Sequence, residues 1–286
     1  EFSEYVSLGR YFGFNYTNNF ALHPAITWVR RSHTIKAGVD YRLIVYNTPN
    51  VGNPFRLQGT RGFTQREYNR GDALSGNSIA SFLMGFPGGG GIDHNVLPST
   101  VWKYYAPYIQ DDWKVSRRLT VNFGLRWDLN ISPYKRFDRL NRSFDPVTVN
   151  PINALIDRTR FPGFRQIQGG LLFANVGGVP RTASNLDKTA IQPRIGFAYQ
   201  LGSKLVMRGG WSKYYFNPNN DYLQYNGFSI NTPLVSSLDS GRTPIPSLIN
   251  NPFPQVLLPP GSSQGLTTLA GRGFSFFDPT FKVPYV

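Results

Sequence analysis

Cysteine is absent from the 286 residues, which excludes a disulfide framework and every thiolate metal site. Histidine is nearly absent as well. His23, His33 and His94 stand far apart, so no histidine-based metal cluster is expected. No apolar run approaches the roughly 18 residues that a membrane helix needs, and mean hydropathy is −0.30. This excludes a helical span but not the membrane, because a barrel strand turns only every second residue to lipid. Acidic residues are few: 16 Asp and Glu against 30 Lys and Arg leave a net charge of +14. Such a balance serves solubility or points to nucleic acid or to an anionic membrane surface. The cations, however, sit singly and form no stripe. Lys36, Arg42, Arg126, Arg194 and Arg208 fall on polar strand faces, and Arg136, Arg139, Arg142, Arg158, Arg160 and Arg165 fall in loops. That scatter argues against nucleic acid, and none is expected as a partner.

What is present is β-forming. Aromatics reach 15%, and 29 glycines with 22 prolines supply turns. The clearest stretch runs from Trp102 to Leu129. In its second half Leu119, Val121, Phe123, Leu125, Trp127 and Leu129 alternate strictly with Thr120, Asn122, Gly124, Arg126 and Asp128. A period of two marks a strand, here about twice the usual soluble length. The first half sets Tyr105, Ile109, Trp113 and Val115 against Tyr108, Gln110, Asp112 and Lys114, and Ser116-Arg117 joins the halves as a tight hairpin. A long hairpin with one dry face and one polar face, rich in terminal aromatics, is the unit of a transmembrane β-barrel.

The same unit recurs. Ile35, Ala37, Val39, Tyr41, Leu43 and Val45 alternate with Lys36, Gly38, Asp40, Arg42 and Ile44, after a strand at Phe20–Trp28 and a break at Arg30–His33. A third hairpin runs through Ile191–Tyr199 and Leu205–Tyr215 around Leu201–Lys204. Hairpins at about 20–46, 102–129 and 191–215 thus alternate with long loops at about 47–100, 130–190 and 216–280. Prolines at 133, 146, 151, 162 and 180 are read as interrupting any regular element in the second loop. Short turns at one end and long loops at the other suit an outer-membrane barrel, with the short turns periplasmic. The expected fold class is all-β, a partial antiparallel transmembrane barrel. Trp28, Trp102, Trp113, Trp127 and Trp211 are expected in its interfacial girdles; packing inside a β-sandwich and stacking against bases or sugars are the alternatives.

Other stretches are less regular. Tyr11–Tyr16 reads as a loop or strand end, Thr48–Asn50 and Asn53-Pro54 as turns, and Phe63–Tyr68 as a short strand. Ser78–Phe86 is a helical turn or a buried strand, and Gly88–Gly91 a flexible loop rather than a phosphate cradle, lacking the Lys-Ser/Thr of a P-loop. Glu1 opens without Met or an apolar leader, and Phe281–Val286 reads as the beginning of a further strand, so an internal piece of a longer protein is expected.

Catalytic constellations are missing. Asp111 and Asp112 are adjacent on a strand and project to opposite faces, so they cannot flank one bond; Asp112 is expected to pair on the polar face with Lys114 and Gln110. No Gly-x-Ser-x-Gly elbow occurs. No catalytic residue, metal site or cofactor is expected, and the chain is not read as an enzyme. The candidate functional residues are the charges of the polar faces, Lys36, Asp40, Arg42, Arg126, Asp128, Arg194 and Arg208; taken one by one, each is read first as half of a salt bridge within the lumen.

The run Tyr104-Tyr-Ala-Pro-Tyr-Ile-Gln-Asp-Asp-Trp-Lys-Val115, followed by Leu119–Asp128, closely resembles the barrel of TonB-dependent outer-membrane receptors. His33–Arg42, Ala80–Gly85, Gln192–Phe197 and Arg208–Trp211 narrow the resemblance to the Oar-like branch. It implies a barrel of about 22 strands, of which this chain supplies roughly a third. A carboxypeptidase-regulatory-like domain and a plug usually precede such barrels. The resemblance further implies residence in the outer membrane of a Gram-negative-type cell, contact with lipid and lipopolysaccharide, and uptake of a small substrate driven by the periplasmic TonB complex through the plug. Neither plug nor TonB box lies in these residues, so energy coupling is carried to none of them. The alternative reading is a secreted or surface β-rich binding or adhesion module.

Overall fold

The computed structural model describes residues 6–8, 13–48, 55–68, 70–71, 74–216, 223–246 and 248–286. In chain order the strands are β1 (Val6–Leu8), β2 (Tyr16–Leu22), β3 (Ala25–Arg30), β4 (His33–Asn47), β5 (Arg56–Gly59), β6 (Gly89–His94), β7 (Ser99–Lys114), β8 (Leu119–Trp127), β9 (Leu129–Lys135), β10 (Asn141–Val149), β11 (Gln168–Phe173), β12 (Ile191–Gln200), β13 (Val206–Ser212) and β14 (Ile230–Pro233). One short helix, α1 (Ser78–Leu83), and a few 3-10 turns complete the described elements. The chain forms two compact units, Glu1–Asn15 with Thr48–Pro98 and Tyr225–Gln264, and Tyr16–Asn47 with Ser99–Gln224 and Gly265–Val286.

The second unit is built on a wall of antiparallel strands in the order β13-β12-β8-β7-β4-β2, with β3 continuing β2 along β4 and β9 continuing β8 along β7. β4 has 15 residues and β7 has 16, and they pair without a slip from His33↔Trp113 to Asn47↔Ser99. That exceeds the roughly 9–11 residues a tilted strand needs to cross a bilayer. Among the described residues the wall does not close on itself. Beyond β13 it gains one further bridge, Tyr215↔Tyr285, with Tyr214 N donating to Val286 O at 3.0 Å.

From β4 to β13 the register joins even positions to even positions, and β2 and β3 join β4 odd to even, so each face of the wall keeps one predominant character. One row across the strands reads Thr27, Lys36, Gln110, Gly124, Arg194, Ser212. The next row toward the β4 C-terminus reads Ala25, Gly38, Tyr108, Arg126, Gln192. The odd positions give the other face, as in Ala37, Ile109, Leu125, Pro193. That apolar face is uncovered: Phe123 is 46% exposed, Ile195 56% and Trp211 60%. The packed core lies elsewhere, with Leu140, Ala174 and Ala183 clustered in the β9–β12 connection. A large uncovered apolar face is unfavourable in water by about 25 cal/mol per Å2, and a bilayer removes the penalty.

The short connections share one end of the wall: Arg31-Ser32, Val115–Arg118 and Leu201–Leu205. In the second, the Ser116 hydroxyl accepts from the backbone N–H groups of Arg118 and Leu119, at 3.2 and 3.1 Å. The other end carries the long connections, and these are more ordered than expected. Residues 130–190 hold most of β9 and the hairpin β10–β11. Pro133 and Pro146 lie inside strands because each falls at a register shift, where the ladder requires no N–H.

The first unit is a four-stranded sheet in the order β1-β5-β6-β14. Within Ser78–Phe86 the first six residues, Ser78–Leu83, are helical: the Asn77 side chain accepts from Ile79 N and Ala80 N at 2.9 and 3.0 Å, capping α1. A 3-10 turn, Gly62–Thr64, replaces the strand expected at 63–68. The glycine run is not a flexible loop, since residues 89–91 belong to β6. Gly90 has φ +146°, and a Cβ there would come within 2.2 Å of the Arg56 carbonyl oxygen, so the close β5–β6 approach requires glycine. The turns expected at Pro49-Asn50 and Asn53-Pro54, and the Tyr11-Phe12 part of the early loop, lie outside the described residues.

Candidate functional site

The polar face of the wall carries the candidate site, with Asp40 at its centre. Asp40 and Arg42, two apart on β4, share that face, and Arg42 grips the carboxylate with Nε at 3.0 Å and Nη2 at 2.8 Å. From β8, Arg126 reaches over β7 and places Nη2 3.0 Å from the same carboxylate. On the way it donates to the Tyr104 hydroxyl at 2.8 Å, and its Nε meets Asp128 at 2.9 Å. Gln192 on β12 donates to Asp128 at 2.6 Å, and His23 Nδ1 lies 3.2 Å from Asp40. Both guanidiniums also lie over the Tyr104 ring, at 5.6 and 5.9 Å.

Two carboxylates and two guanidiniums make this cluster neutral. The Asp40 side chain is only 8% exposed, so its charge is stabilised by its partners rather than by water. Four of the seven candidates, Asp40, Arg42, Arg126 and Asp128, are brought together here. His23, Tyr104 and Gln192 were missed; alternation shows that a residue faces inward but not which charge it will meet two strands away.

The other three candidates have no carboxylate partner among the described residues. Lys36 lies opposite Gln110 and Thr27. Arg194 donates to the Gln110 side chain. Its guanidinium crosses the space above Gly124, where a Cβ would come within 2.5 Å of its Nε. Arg194 lines an open cleft of about 390 Å3 with Gln110, Asp112, Asn122 and Ser212. Arg208 is exposed opposite Ala198, nearer the short turns. The polar face therefore combines a neutral lock with an uncompensated positive charge.

Two expectations about this face need correction. Asp112 accepts from Asn122 Nδ2 at 2.7 Å and does not pair with Lys114; Asn122 stands directly opposite and is the shorter reach. Trp102 is not in a girdle. It shares the polar face with Ile44 and Tyr104, and its indole N–H donates to Asn130 at 2.7 Å. Asp111, on the apolar face, is held 2.6 Å from His33 Nδ1, and His33 stacks on Trp113 with centroids 5.3 Å apart.

No group of three metal-ligating side chains occurs among the described residues. A family model, outer membrane beta barrel domain, matches residues 6–286. The chain belongs to this outer-membrane β-barrel family. Neither a curated protein nor a solved structure matches it. As an outer-membrane barrel domain, the wall turns its apolar face to lipid and its polar face to the lumen, with the short turns on the periplasmic side. Outside the strands, Asp187 ties the last residues to the barrel: partial burial pushes its carboxyl up, but hydrogen bonds from Thr189 and Val283 outweigh this and hold it below its ordinary value.

Proposed function

We propose that this barrel section belongs to a transporter of the TonB-dependent type, which takes up a small solute across the outer membrane. The observation that carries the reading is the lumen face, where Lys36, Arg194 and Arg208 have no acidic partner among the described residues and stand beside a locked neutral cluster. A purely structural lining has no need of uncompensated charge, whereas a solute path does. The Tyr108–Trp113 motif supports the TonB-dependent assignment. On this reading the long connections meet the solute outside, a plug fills the lumen, the periplasmic TonB complex acts on the plug, and lipopolysaccharide surrounds the outer rim. The chain performs no catalytic step.

Accumulation of candidate solutes by cells expressing the full gene, with and without a functional TonB, tests this. Uptake that requires TonB and weakens in Arg194→Gln supports the reading. Cells that bind a surface or polymer equally well without TonB, and accumulate nothing, would favour an adhesion module built on the same outer connections.

A further inference from the structure

The short-turn end of the wall carries charge of one sign only. Arg30 and Arg31 stand at and in the first turn, Lys114, Arg117 and Arg118 at and in the second, and Lys204 lies in the third. None of the 16 acidic residues falls in these turns. The nearest, Asp111 and Asp112, are engaged by His33 and Asn122. All six cations are exposed, and none has an acidic partner among the described residues.

Backbone hydrogen bonds make the three turns one ledge. Lys114 N donates to Ser32 O at 2.8 Å, joining the first turn to the second, and Gln200 N donates to Arg118 O at 2.8 Å, joining the second to the third. Apolar side chains stand exposed on the same ledge: Val115 is 41% exposed, Leu201 52% and Leu205 61%. Immediately above lie Trp28, with the Arg30 guanidinium 5.6 Å from its ring, and Trp113. Cations without counter-charges, interleaved with uncovered aliphatic residues and bordered by indoles, match the boundary between phosphate headgroups and acyl chains. A water-soluble acidic partner would satisfy the cations but leave the leucines unexplained.

We infer that this rim is a binding surface for anionic phospholipid headgroups of the periplasmic leaflet, with Arg31, Arg117 and Arg118 as its main phosphate contacts. The inference rests on the chain being a membrane wall and is independent of transport. Native mass spectrometry of the protein in nanodiscs of phosphatidylethanolamine, with and without phosphatidylglycerol, counts the retained anionic lipid. A basic residue near such a surface contributes about fivefold, so the triple variant R31Q/R117Q/R118Q binds phosphatidylglycerol roughly a hundredfold more weakly at low salt. Arg136→Gln, at the opposite end, leaves binding unchanged, and raising salt weakens the wild-type interaction alone. Full retention of the anionic lipid by the triple variant overturns the inference, as does an equal loss in Arg136→Gln or a wild-type interaction indifferent to salt. Failed uptake with intact lipid binding would instead count against transport.

Discussion

Arg126 on β8 and Asp40 on β4 form an ion pair across the whole width of β7, with 3.0 Å between Nη2 and Oδ2. Such a pair reports on the curvature and register of three strands together. Replacing Asp40 with Ala leaves Arg42 and Arg126 without their shared acceptor and is expected to destabilise the barrel by about 2–3 kcal/mol. Asp40→Asn, which keeps an acceptor oxygen, costs less. Urea titration in lipid, monitored by the folded band in unheated gels, gives both values. A double-mutant cycle with Arg126→Gln should show coupling, and simple additivity would mean that the pair does not hold the strands together.

The two faces of β8 predict opposite responses to one substitution. Phe123→Arg places a cation in lipid near mid-strand and is expected to cost about 2–4 kcal/mol. Asn122→Arg, one residue away on the lumen face, should stay within about 1 kcal/mol. The same folding titration measures both.

Gly38 lies where β4 passes the His23-Pro24 break between β2 and β3. A Cβ there would sit 2.6 Å from the Pro24 carbonyl oxygen and 2.8 Å from the Tyr108 hydroxyl. Gly38→Val is therefore expected to destabilise by roughly 1–3 kcal/mol through overpacking. Gly196→Ala, whose nearest neighbours would be 3.6 Å away, should be tolerated.

In the first unit, hydrogen bonds from Ser237 and Thr243 hold the Asp239 carboxyl down at about 2, against an ordinary 3.8. A folded-state pKa below the unfolded one means that the contribution is complete above about 4 and is lost as the pH falls through about 2. Hydrogen exchange at the Thr243 amide, which donates to Asp239 at 2.9 Å, should lose protection across that window. Asp239→Asn should remove the dependence.

Much of the wall was legible in the sequence because a period of two needs only local pattern, and residues 33–45 and 119–127 keep it without a break. The seven charges were placed on one face for the same reason. Their partners were not readable: that Arg126 meets Asp40 depends on the register of β4 against β7 and of β7 against β8, which alternation leaves open. Prolines misled in a specific way. Pro133 and Pro146 signal interruption, yet each sits at a bulge where its missing N–H costs nothing. The glycine run at 88–91 misled as well: it was read as a flexible loop, but the same residues also serve a close strand approach, and only the nearness of Arg56 to Gly90 separates the two.

The most direct test of the account is accessibility along Leu119–Trp127, and the absence of native cysteine allows single-cysteine spin labels at each position. Collision with oxygen, which concentrates in lipid, and with a water-soluble nickel chelate should alternate with a period of two. Positions 119, 121, 123, 125 and 127 should favour oxygen, and 120, 122, 124 and 126 the chelate. If the odd positions are instead shielded from both reagents, the apolar face lies inside a protein core and this chain is not a membrane wall.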